Sequence, residues 1–95
     1  MYLRVTRYHF DSARYDEIVS LVQEVGNAIQ GLPGNLSVYV GIDRTAGCGH
    51  TVSTWDTLEH ANFSRETAPR LGWIVRNLKS IGMQLDPPEI SENVN

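Results

Sequence analysis

The chain predicts an α+β fold of ferredoxin-like type, βαββαβ, with a four-stranded antiparallel sheet carrying two helices on one face. Three features point there. Hydrophobic spacing switches along the chain between period two and a period of three to four. One segment, Leu36, Val38, Val40 and Ile42 interleaved with Ser37, Tyr39, Gly41 and Asp43, alternates strictly. Each helical run is closed by an explicit stop, Gly31 for the first and Gly82 for the second. At 95 residues the whole chain, 1–95, reads as one domain with no room for another.

Tyr2 to Phe10 alternates and is rich in aromatic and β-branched residues, which suit a pleated surface, so it is the first strand. Asp11-Ser12 can cap the following helix, with Asp16 and Glu17 placed early, where the helix dipole favours negative charge. Tyr15, Ile18, Val22, Val25, Ile29 and Leu32 then share one helical face. Leu32-Pro33-Gly34-Asn35 turns the chain into the alternating second strand. Asp43 to Gly49 has the glycine content of a hairpin loop and leads into a third strand, His50 to Trp55. Asp56 or Thr57 caps a short helical piece carrying Leu58 and Ala61. Pro69 interrupts that pattern, because its ring restrains Ala68 from the α region and suits the first turn of a new helix. Leu71, Ile74, Leu78 and Ile81 supply the second helical face. Met83-Gln84-Leu85 is a short fourth strand, and residues 87–95 are read as a polar tail.

The net charge is −3 and Lys79 is the single lysine, so no basic stripe exists for a phosphate backbone and nucleic acid is not an expected partner. No run approaches the ~18 apolar residues of a membrane span, and Met1 to Arg7 lacks the apolar centre of a signal peptide. The single cysteine, Cys48, leaves no internal disulfide, and a cytoplasmic location is the expectation. Cys48-Gly49-His50 offers two ligands where zinc needs three or four, so no metal is expected. Walker A and G-x-G-x-x-G patterns are absent, and no cofactor is expected.

Two helices can cover only one face of the sheet, yet large apolar groups occur at both strand parities. Strand two carries Leu36, Val38, Val40 and Ile42 at one parity and strand one Leu3 and Val5; the opposite parities carry Tyr2, Tyr8, Phe10, Tyr39 and Trp55, and spacing alone leaves open which parities share a side. Each aromatic can bury on the order of 150–250 Å². At about 25 cal/mol per Å², several of them left in water forgo several kcal/mol. Net stability in such a domain is about 5–10 kcal/mol. A second copy of the chain is the simplest cover, so a homodimer is expected; aromatic rings on a wetted sheet are the alternative.

His60 follows Glu59 near a helix start, where a neutral imidazole can accept a proton from a phenol or an activated C–H; a plain surface histidine is the alternative. Tyr39, Trp55, Phe63 and Trp73 can line an apolar pocket between the sheet and the second helix, or serve as ordinary core. The break from Asn62 to Pro69 favours a pocket, since an interrupted helix over a sheet leaves a gap. Arg65 and Arg70 can hold a carboxylate or enolate at its mouth, or be solvated surface. Cys48 sits between two glycines on a turn and is read as incidental.

Leu32-Pro33-Gly34, the strand after it, and Val52-Ser53-Thr54-Trp55-Asp56-Thr57-Leu58-Glu59-His60-Ala61 resemble the antibiotic biosynthesis monooxygenase family, over Tyr2 to about Ile90. The resemblance implies a dimeric α+β barrel, in which two four-stranded sheets close around each other. It also implies a small apolar or aromatic ligand. One branch of the family oxidises phenols or quinols without a cofactor. Haem-degrading members of this fold use an Asn on the first strand and a Trp and a His on the second helix. Here the first strand has Arg7, Tyr8 and His9, and the second helix has Trp73 but no histidine, so haem is not implied. Asn62 and Trp73 are partial counterparts of the Asn, Trp and Tyr set expected in the quinol-oxidising branch. The resulting expectation assigns catalysis to His60 and Asn62, and substrate binding to Tyr39, Trp55, Phe63, Arg70 and Trp73. A non-catalytic ligand-binding or dimerisation module of the same fold is the competing expectation.

Overall fold

The alternation in the first strand and the amphipathic spacing of the two helices generate a helix-covered sheet in the computed structural model. The structure describes residues 1–64 and 66–95; Arg65, a candidate anion ligand, lies outside the described residues. The elements are β1 (Tyr2–His9), α1 (Tyr15–Gln30), β2 (Asn35–Asp43), β3 (Cys48–Trp55), α2 (Leu58–Ala61), α3 (Pro69–Ser80), β4 (Gln84–Leu85) and β5 (Glu89–Glu92). The sheet order is β2-β3-β1-β4, with β5 also on β1 and every pairing antiparallel. This is the α+β, ferredoxin-like arrangement. No helix among the described residues is long and apolar enough to cross a membrane.

Local chemistry accounts for the boundaries. Asp11 accepts from Ala13 N–H (3.0 Å) and starts a 3-10 turn, Ser12–Arg14, that feeds α1. In the hairpin, Asp43 Oδ1 accepts from Thr45 N–H (3.1 Å) and Ala46 N–H (2.9 Å), which tightens the loop and lets β3 begin at Cys48 rather than at His50. Thr57, not Asp56, is the cap of α2, accepting from His60 N–H (3.1 Å). Gly34 has φ +79°, and a Cβ there would overlap the Asp56 and His60 side chains. The turn into β2 therefore rests directly on the start of α2.

Residues 87–95 are not simply a polar tail: Glu89–Glu92 forms β5, paired with Tyr2–Val5. β4 and β5 share one edge of β1 as a single strand interrupted at Asp86-Pro87-Pro88, where the register slips by one residue. The prolines have no N–H to donate to the ladder, whereas Asp86 N–H still reaches Arg7 O (2.9 Å). An edge strand is held mainly by backbone pairing, so its polar composition hides it from hydrophobic patterning.

Paired residues share a face of the pleat. Tyr2 pairs with Trp55, Arg4 with Ser53, Thr6 with Thr51 and Tyr8 with Gly49, and Val38, Val40 and Ile42 join the same side through β3. α1 and α3 cover this side, burying Tyr8, Ile18, Val22, Trp55, Ile74 and Leu78. Leu3, Val5, Val52 and Tyr39 occupy the uncovered side. Register settles what spacing leaves open: the parity of Tyr2 and Tyr8, not that of Leu3 and Val5, shares a side with Val38, Val40 and Ile42. Burial of Tyr8 under the helices sets the parity of the whole strand, and Leu36 falls in an irregularity between Asn35 and Ser37 that leaves it exposed.

Ending the chain at Pro88 removes the β5 ladder and the Arg7–Glu89 ion pair (2.6 Å). It is expected to lower unfolding free energy by about 2–4 kcal/mol, read from urea midpoints. An unchanged midpoint would show that β5 contributes nothing.

Candidate functional site

The inward positions at the centre of β1 and β3 are small or polar, namely Arg4, Thr6, Thr51 and Ser53. They do not fill the height between sheet and helices, and a cavity of about 410 Å³ results. Val22, Val25 and Ile29 of α1 and Leu71, Val75 and Leu78 of α3 wall it. Phe63, Ser64 and Ala68 border it from the segment between α2 and α3. Met83, Leu85, Asp86 and the two prolines complete the rim.

The floor is held by a ring of contacts. Arg4 donates from Nη1 to Ala61 O (2.8 Å), and its guanidinium carbon lies 3.9 Å from the Phe63 ring centroid. Phe63 packs against Trp55, with ring centroids 5.2 Å apart at a 45° tilt. Trp55 is fully buried and donates from Nε1 to Ser53 Oγ (2.8 Å). Ser53 Oγ in turn makes a long hydrogen bond to Arg4 O (3.5 Å). Burial lowers the pKa of Arg4 from its ordinary value, and the group stays a cation at neutral pH.

Tyr8 lies across Gly49, where a Cβ would overlap the ring, and its hydroxyl donates to Gly41 O (3.1 Å). Burial pushes the phenol up to about 12. At neutral pH it is therefore a hydrogen-bond donor and not a base.

The structure spreads the sequence-derived candidates widely. Phe63 borders the cavity, and Trp55 lies behind it in the core. His60 bonds through Nδ1 to Asp56 Oδ1 (2.7 Å) and does not border the cavity. The same bond holds the Asp56 carboxyl below its ordinary pKa. Asn62 is exposed at the end of α2. Trp73, 57% exposed, and Arg70 lie on the solvent side of α3, and Tyr39, 70% exposed, lies on the uncovered face of the sheet. Arg4, Thr6, Tyr8, Thr51 and Ser53 also border the cavity, and none of them is among the candidates above. A usable signal exists: Arg4 and Thr6 share the parity of Tyr2, Tyr8 and Phe10, the bulkiest side chains of the strand.

No protein-family model and no curated protein matches the chain. Solved structures share its fold. A protein of Deinococcus radiodurans described as a candidate antibiotic biosynthesis monooxygenase superposes with a TM-score of 0.84 at 16% identity, over 100% of this chain and 94% of that one. SnoaB, a cofactor-independent oxygenase from Streptomyces nogalater solved as a point mutant, gives 0.75 at 12% identity, over 99% and 93%. HapK from Hahella chejuensis gives 0.75 at 18% identity, again over 99% and 93%. The α+β, ferredoxin-like fold of the single chain is the one that the sequence predicts and that these structures share.

Because the folded-state pKa of Tyr8 is raised, folding keeps its proton while the unfolded chain loses one above its ordinary value of 10.0. The Tyr8 contribution is constant below that value and falls as pH rises toward about 12. Urea midpoints at about pH 9 and about pH 11 are expected to drop more in wild type than in Tyr8→Phe. Tyr8→Phe itself costs about 1 kcal/mol at neutral pH through loss of the bond to Gly41. Equal alkaline losses in the two proteins would contradict this assignment.

Proposed function

We propose that this chain is a cofactor-independent monooxygenase that takes an aromatic phenol or quinol into the cavity between sheet and helices, and that it works as a homodimer. The observation that carries this reading is the cavity itself, about 410 Å³ with apolar walls and a polar floor. The shared fold with SnoaB, described as a cofactor-independent oxygenase, supports it as an analogy.

In this reading the bound phenol gives up its proton, and the resulting anion is electron-rich enough to reduce O₂ directly. One oxygen atom enters a phenol at the C–H para to the hydroxyl, giving the quinone, or enters a quinol at a ring C–H beside a hydroxyl, giving the hydroxyquinone. The other leaves as water, and the ring supplies all the electrons. The helical walls hold the ring and exclude water. Thr6 and Thr51 bring hydroxyls to the floor, where negative charge develops. Asp86 is the carboxylate bordering the cavity among the described residues, and it takes the part of proton acceptor. His60 and Asn62 flank Ala61, with Phe63 next in sequence, and act by positioning that segment.

A second reading, a ligand-binding module without turnover, is favoured by one observation. The titratable floor groups, Arg4 and Tyr8, do not accept protons at neutral pH. A panel of naphthols, dihydroquinones and anthrones separates the two. O₂ uptake with quinone formation, reduced about tenfold or more in Asp86→Asn, is the expected outcome. A raised Tm without O₂ uptake supports the binding module instead. Neither effect across the panel would contradict both readings.

The uncovered face of the sheet supports the homodimer. Leu3, Val5, Val52 and Tyr39 lie there with no helix of the described residues over them, and a second copy presenting the same face buries both sets. At micromolar concentration the wild type is expected to sediment as a pair and Val52→Glu as single chains. A single-chain wild-type species would overturn the dimer.

A further inference from the structure

We infer that the cavity selects ring ligands bearing an anionic oxygen group, a carboxylate or an ionised phenol, and that Arg4 is the residue that reads this charge. The inference deepens the proposed function: it rests on the cavity as a binding site and is independent of the oxygen chemistry.

Neighbouring arginines on β1 show the contrast. Arg7 faces the other side of the sheet and is paired with Glu89 at 2.6 Å. Arg4 faces the cavity, is half-buried, and has no carboxylate within 4.0 Å among the described residues. A guanidinium drawn partly out of water without a counter-ion is unfavourable, and an anion entering the cavity would relieve that.

The group is also held in readiness. One N–H is used by Ala61 O, and Phe63 lies 3.9 Å from the guanidinium carbon, so the plane has a fixed neighbour on one side. Among the described residues, the fork retains donors that no other group uses. A preorganised fork of this kind suits a carboxylate or a phenolate better than a neutral hydroxyl. Thr6 and Thr51 border the same floor and can complete the shell around the anion. Asp86, the acidic group on the rim, stands 3.8 Å from His9 and is not paired with Arg4. Val25, Ile29, Leu71 and Leu78 leave the rest of the space to an apolar ring body.

The test compares naphthoate with the matching naphthalenemethanol, measured by calorimetry on the whole chain. The pair shares a ring and differs in charge. Wild type is expected to bind naphthoate at least about tenfold more tightly, since hydrogen bonds to a charged group are stronger than those to a neutral one. Arg4→Met, which keeps much of the stem, is expected to weaken naphthoate by about tenfold to hundredfold while leaving the alcohol within about threefold. Arg4→Lys should fall between, retaining charge without the fork. Arg4 also braces Ala61 and Phe63, so Arg4→Met can lower stability; the wild-type pair tests the preference for acid, and Arg4→Lys, set beside Lys79→Met at the other cation lining the cavity, then tests its assignment to Arg4. Alcohol binding equal to or tighter than acid binding overturns the inference and leaves the cavity reading standing. A folded Arg4→Met that keeps the preference for acid overturns it too. If wild type binds neither compound, the cavity reading falls and the inference with it.

Discussion

The pairing of β1 with β3 is the constraint from which the other features follow. In a pleated strand, a shift of one residue would send every side chain to the opposite face. With Tyr8 opposite Gly49 and buried beneath the helices, Arg4 and Thr6 must also point inward, opposite Ser53 and Thr51. An arginine is thereby brought to the inner face of a small domain, where an apolar residue would ordinarily sit. The strand accommodates it through the circuit that runs from the Arg4 guanidinium to Phe63, Trp55, Ser53 and back to the Arg4 carbonyl.

That accommodation shapes the site. Polar, compact floor residues under two amphipathic helices leave a space that the helices' own apolar faces wall. Most of the lining belongs to strands and helices, which hold side chains more closely than loops do. The segment joining α2 to α3 contributes Phe63, Ser64 and Ala68 at the border. Pro69 is the first residue of α3 and fixes where that helix starts, so the segment before it can meet the cavity without being helical.

Much of the architecture was legible because period and punctuation agree in α1, β2 and α3. β5 was not, because pairing rather than apolar burial holds an edge strand and Glu89 to Glu92 contains a single apolar residue, Ile90. The site was less legible than the fold. Size drew attention to Tyr39 and Trp73, yet their positions already argued otherwise. Trp73 shares a helical stripe with Arg70 and Asn77, and Tyr39 shares a strand parity with Ser37, Gly41 and Asp43. Arg4 was obscured because Leu3 and Val5 beside it look like the inward pair. Only strand-to-strand register resolves that choice, and register is a tertiary property.

The most direct examination of the account is a methyl-resolved NMR titration with a small aromatic ring compound. A ring bound between sheet and helices lies among Val22, Val25, Ile29, Leu71 and Leu78, whose side chains border the cavity. Intermolecular contacts to those methyls, with Val5 and Val52 silent on the opposite side of the sheet, are the expected result. Contacts confined to Val5 and Val52, or none at all, would contradict it.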